Sequence, residues 1–93
     1  MLDVYFIYAD NCAHCNETLQ AIQSAVKKCK NISCRITKLP YTHSKALQIA
    51  IEYAIDTLPG FVIGEVPFNG SGYTEEQIVE AIERHGKIGH NTK

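Results

Sequence analysis

The chain has 93 residues, 45% of them hydrophobic and 20% charged, and a formal net charge of −1 at neutral pH. A chain this short supports one domain with one modest core, burying roughly two-thirds of the surface its unfolded form exposes. Its charge balance supplies no basic field to draw nucleic acid or anionic lipid, and no apolar run approaches the ~20 residues of a membrane helix, so neither is expected as a partner.

Met1-Leu2-Asp3 has no basic n-region and no small-residue cleavage site, which leads us to expect a cytoplasmic protein. The chain carries four cysteines, at positions 12, 15, 29 and 34. In a reducing compartment, such cysteines point to catalysis or metal binding rather than to structural bridges.

Residues 2–9 are almost continuously apolar, the pattern of a strand buried on both faces. Asp10-Asn11 breaks it. Cys15, Leu19, Ile22, Val26 and Cys29 then recur at helical spacing and predict an amphipathic helix over 13–29, with Asn11 as its cap and Asn31 as its stop. Lys27, Lys28 and Lys30 gather at its C-terminal end, where the dipole favours cations. Residues 32–38 alternate, with Ile32, Cys34 and Ile36 on one face, and Pro40 is expected to end that strand. Residues 43–54 read as a helix with Ala46, Leu47, Ala50, Ile51 and Ala54 inward. Residues 60–64 and 65–68 read as a hairpin turning at Gly64-Glu65. Thr74 and Gln77 form a capping box that opens a last helix to about 85. The expected fold is α/β, in the order β-α-β-α-β-β-α. Its four-stranded mixed sheet carries three helices on both faces. Residues 1–86 form one domain, and 87–93 a flexible C-terminal tail.

Cys12-Ala13-His14-Cys15 falls where the first strand passes into the first helix. The reactive form of cysteine is the thiolate, and unpaired backbone N–H groups at a helix N-terminus stabilise it. Cys12 is expected to be exposed and nucleophilic. Cys15, one turn on, falls on the inward face and resolves the mixed disulfide. His14, when protonated, would favour the thiolate, and Asp10 would oppose it if turned toward the sulfur. His14 reads equally as a solvated loop residue. A zinc module using all four cysteines is the metal alternative. It conflicts with the intervening helix, which would hold Cys15 and Cys29 roughly 21 Å apart at about 1.5 Å per residue. Cys29 and Cys34 read either as small buried hydrophobes or as a bridged pair. Tyr8 and Tyr73 either flank the site or simply pack.

The strand–CxxC–helix unit resembles thioredoxin and glutaredoxin. Residues 53–63 (YAIDTLPGFVI) resemble the segment of that superfamily that carries a cis-proline before the third strand. The resemblance covers about residues 2–85. It implies that Pro59 is cis and faces the cysteine pair, and that Leu58, with Ala13, meets an extended substrate. It implies a thiol–disulfide oxidoreductase that needs no cofactor. Its partners would be a disulfide-containing protein or small thiol and a thiol reductant or reductase, and the chain would act as a monomer. A binding or adaptor domain without turnover is the alternative within the same fold. The chain departs from both families. Phe6 stands where thioredoxins bury an aspartate. Asn11 and Ala13-His14 replace their Trp and Gly-Pro. The lysine and the Gly-Gly-Asp segment with which glutaredoxins hold glutathione are missing, Gly70-Ser71-Gly72-Tyr73 standing at the latter.

Overall fold

A computed structural model describes residues 1–91, with side chains described for residues 1–86. The chain runs β1 (Leu2–Tyr8), α1 (Ala13–Lys28), β2 (Cys34–Pro40), α2 (Ser44–Tyr53), β3 (Gly60–Ile63), β4 (Val66–Asn69) and α3 (Glu75–Asn91). The strands form one sheet in the order β2-β1-β3-β4. β1 pairs parallel with β2 and antiparallel with β3, and β3 pairs antiparallel with β4. This is the expected mixed sheet with three helices.

The alternation of side chains along the strands builds two cores. Val4, Phe6, Phe61 and Ile63 point to one face, where they meet Cys15, Ile22 and Ala25 of α1 and Ile78 and Ile82 of α3. Ile7, Leu39 and Val62 point to the other, where they meet Ala46 and Ile49 of α2 and Ile55 beyond it. β1 and β3 are the inner strands and serve both cores, and every residue of β3 is buried. A Lys28–Glu75 ion pair links the end of α1 to the start of α3.

Four expectations are corrected. Cys12, not Asn11, caps α1, and Asn11 lies in the left-handed region at φ 56°. β2 begins at Cys34 and includes Pro40. It is an edge strand, so a residue without an N–H is tolerated on its unpaired side. The inward side of α2 is Ala46 and Ile49, while Leu47 is 53% and Ile51 82% exposed. Finally, α3 continues to Asn91, past the end expected near 85, and 92–93 lie outside the described residues. Gly86 is a packing glycine within α3: a Cβ there would stand 2.7 Å from Ile32 Cδ1. The Thr74–Gln77 capping box is present in both directions, at 2.8 and 3.1 Å.

Candidate active site

The end of β1 delivers the chain to the CxxC segment. Tyr8 closes the strand, Asn11 turns the backbone through its positive φ, and Cys12 re-enters extended geometry at φ −108°, ψ 106°. Its Sγ accepts the backbone N–H of Cys15 at 3.1 Å. A sulfur thus takes the place that an Asn or Ser oxygen usually holds at an N-cap, and it sits where helix N–H groups are unpaired. Cys12 and Cys15 are joined as a disulfide, with their Cα atoms 5.2 Å apart. Cys15 is 2% exposed and lies within the core between α1 and the sheet, whereas Cys12 is half-buried at its rim.

Around the pair, Ala13 and Asp10 are exposed. His14 is exposed as well, and its Nδ1 stands 3.7 Å from Glu17 Oε1. Glu17 was missed at the level of sequence, although its spacing of three from His14 on a helix carries the signal. Tyr8 packs against the core, with its ring centroid 6.1 Å from that of Phe6. Tyr73 packs edge-on to Phe61 and Phe68, at 5.6 and 5.2 Å.

The segment before β3 meets this end of the sheet. Gly60 pairs with Ile7, so the residues just before Gly60 lie level with the end of β1 and the start of the CxxC turn. The Leu58–Pro59 peptide bond is cis. Pro59 is buried, while Leu58 is 39% exposed. The Leu58 backbone makes no hydrogen bond among the described residues.

The loop is braced from below. Asn69 Oδ1 accepts the Asp56 N–H at 3.0 Å, Pro59 O accepts the Gly70 N–H at 2.8 Å, and Asp56 Oδ1 accepts the Thr57 hydroxyl at 3.1 Å. Gly60 is required by close approach, since a Cβ would collide with Ile55 and lie 3.1 Å from the Thr57 carbonyl. Asn69 is the second residue that the sequence reading missed. Nothing local to it signals a bond to a residue 13 positions earlier.

Cys29 and Cys34 are both free thiols. They stand at the far end of α1, whose 16 residues span about 24 Å. The four cysteines therefore divide into two separated pairs. Among the described residues, no three His, Cys, Asp or Glu side chains come together as a metal site. No helix of the described residues is long and apolar enough to cross a membrane.

A mixed sheet with an oxidised CxxC pair at a helix N-terminus, level with a cis-proline loop, defines a thioredoxin-like domain. Residues 4–83 match the family model of the thioredoxin domain, and the chain belongs to that family. Among solved structures, it is similar to a thioredoxin-like protein from Clostridium perfringens, with 15% identity and a TM-score of 0.76 over 100% of this chain and 78% of that one. Thioredoxin 1 of Thermosipho africanus matches with 18% identity and a TM-score of 0.66, over 96% of this chain and 99% of that one. The germline-specific thioredoxin Deadhead of Drosophila melanogaster matches with 20% identity and a TM-score of 0.66, over 89% and 79% respectively. At these identities the likeness concerns the fold. No curated protein sequence matches the chain.

Proposed function

We propose that this protein is a thiol–disulfide oxidoreductase that exchanges the Cys12–Cys15 dithiol/disulfide with protein or small thiol partners. The observation that carries this reading is the asymmetry of the pair. The rim sulfur of Cys12 receives a helix N–H at 3.1 Å, while Cys15 is 2% exposed behind it. Helix N–H groups lower the cost of a thiolate at Cys12.

In the reduced protein, Cys12 Sγ attacks one sulfur of a substrate disulfide. That S–S bond breaks, and the leaving sulfur departs as a thiolate that takes a proton. Cys15 Sγ, as thiolate, then attacks Cys12 Sγ and expels the second substrate sulfur. The substrate has gained two electrons and two protons, and the protein holds the Cys12–Cys15 disulfide. A thiol reductant or reductase reverses the process on the protein, and the partner's potential sets the direction. Leu58 offers unpaired backbone beside the pair, suited to strand-like pairing with an extended substrate. On this reading Asp10 and His14 tune the thiolate, Ala13 and Pro59 line the docking face, and the protein works as a cytoplasmic monomer.

Reduction of insulin by dithiothreitol tests the proposal. The native chain should accelerate it, and Cys12→Ser should return the rate to the background. Cys15→Ser should accumulate mixed disulfides through Cys12, visible on non-reducing gels and identifying the partner by mass. Equal rates for the native chain and Cys12→Ser would sink the catalytic reading and leave an adaptor.

A further inference from the structure

Beyond the CxxC pair, the chain holds two more thiols whose placement the fold explains. Cys29 ends α1 as its C-cap, with its N–H shared between the Ala25 and Val26 carbonyls. Its own carbonyl accepts the Ile32 N–H at 3.1 Å, which closes a tight turn. Two residues later Cys34 opens β2 opposite Leu2, on the strand parity that faces α1 and α3. The turn therefore folds the end of the helix back over the start of the strand, and both side chains enter the same apolar layer.

Their environments differ in one useful respect. Cys29 is 4% exposed, with Sγ 3.9 Å from the Val79 carbonyl of α3. Cys34 is half-buried and open to solvent on one side. A cavity of about 410 Å³ opens beside this turn, walled in part by Asn31, Ile32 and Ser33 but by neither sulfur, so a small molecule reaches the thiols only through the partly exposed Cys34. Burial pushes both thiols up, and the neighbouring Cys29 sulfur pushes Cys34 further.

We propose that Cys29 and Cys34 are a second dithiol, separate from the CxxC pair, which a small-molecule disulfide oxidises to an intramolecular bridge, with Cys34 as the entry thiol and Cys29 as the resolving thiol. Cys34, once deprotonated, attacks one sulfur of the small disulfide. Its S–S bond breaks, and one small thiol leaves with a proton. Cys29 then loses its proton and attacks Cys34 Sγ, which expels the second small thiol. The protein has lost two hydrogens, and the small disulfide has become two thiols. Within one molecule α1, about 24 Å long, keeps this turn away from Cys12–Cys15, so the oxidant is one that reaches the turn from solution.

Oxidised glutathione is the probe. A full-length C12S/C15S chain, checked for native circular dichroism, is incubated with it and followed by thiol titration and intact mass. The expected result is loss of both remaining thiols, a mass lower by two hydrogens, and a peptide map joining Cys29 to Cys34 within a monomer. The same cross-linked peptide should appear in the wild-type chain, so the test does not depend on the double variant's folding. Cys34→Ser should leave Cys29 unreacted, and Cys29→Ser should hold glutathione stably on Cys34. A stable adduct on Cys34 with Cys29 still present, a dimer bridged through Cys34, or retention of both thiols would each overturn the proposal. None of these results bears on the reactivity of Cys12.

Discussion

The residue that most directly shapes the candidate docking face is not a cysteine. Asn69, at the end of β4, holds the Asp56 N–H and so fixes the start of the loop that carries Leu58 and Pro59. The bond is solvent-exposed, so its net worth is about 0.5–1.5 kcal/mol. Asn69→Ala should lower stability by roughly that amount in urea unfolding. On the proposed function it should also raise KM for insulin more than it lowers kcat, because the loop positions substrate while Cys12 carries the exchange. An unchanged KM would mean that the loop holds its shape without Asn69. The cysteine pair itself was legible from spacing and from its place between an apolar run and a helical period. The brace was not, since a hydrogen bond between side chain and backbone across 13 residues leaves no periodic trace.

At the scale of elements, legibility followed how sharply apolar and polar residues separate. α1 carries a distinct stripe, and its inward face was read with small error. In α1 the centre of the stripe is Cys15, Thr18, Ile22 and Ala25, while Leu19 and Val26 flank it. α2 is different. Ala46, Leu47, Ile49, Ala50 and Ile51 surround the helix with apolar side chains, so a period of 3.6 selects no unique face. Only the sheet decides, through Ile7, Leu39 and Val62, and it takes Ala46 and Ile49. This choice is testable by a pair of truncations. Ile49, 6% exposed, should cost about 2–5 kcal/mol on change to alanine. Ile51, 82% exposed, should cost within about 0.5 kcal/mol. Chemical denaturation of the two variants measures both, and the reverse ranking would show that α2 is turned the other way. Pro40 misled for a related reason. It is a breaker in an isolated chain, but an unpaired strand edge tolerates it.

For the whole molecule, two cores need not mean two folding units. β1 gives Phe6 to one core and Ile7 to the other, and β3 gives Phe61 and Val62 likewise. Neither core survives without the inner strands, so unfolding should be a single cooperative transition. Its free energy should then report every titrating group whose environment changes on folding. Cys29 and Cys34 are pushed above the ordinary thiol value of 9.0, chiefly by burial. The native state thus keeps protons that the unfolded chain releases, and stability falls as pH rises wherever the unfolded chain binds fewer protons. The contribution is complete below the ordinary thiol value and is lost as pH climbs from 9.0 through the raised values. Tyr53, raised from 10.0 chiefly by desolvation, and Lys28, raised from 10.5 chiefly by its hydrogen bond to Glu75, act in the same sense but begin later. Urea unfolding at a series of pH values, in reductant, should show a level region near neutrality and a decline that sets in at the thiols. Replacing Cys34 with alanine should flatten the first part of that decline and leave the later part in place. High salt should weaken the Lys28 contribution, which is exposed and screened, while sparing that of the buried thiols. A decline that starts only above the tyrosine range, or one unaltered by loss of Cys34, would show that these sulfurs do not govern the alkaline limit of the fold.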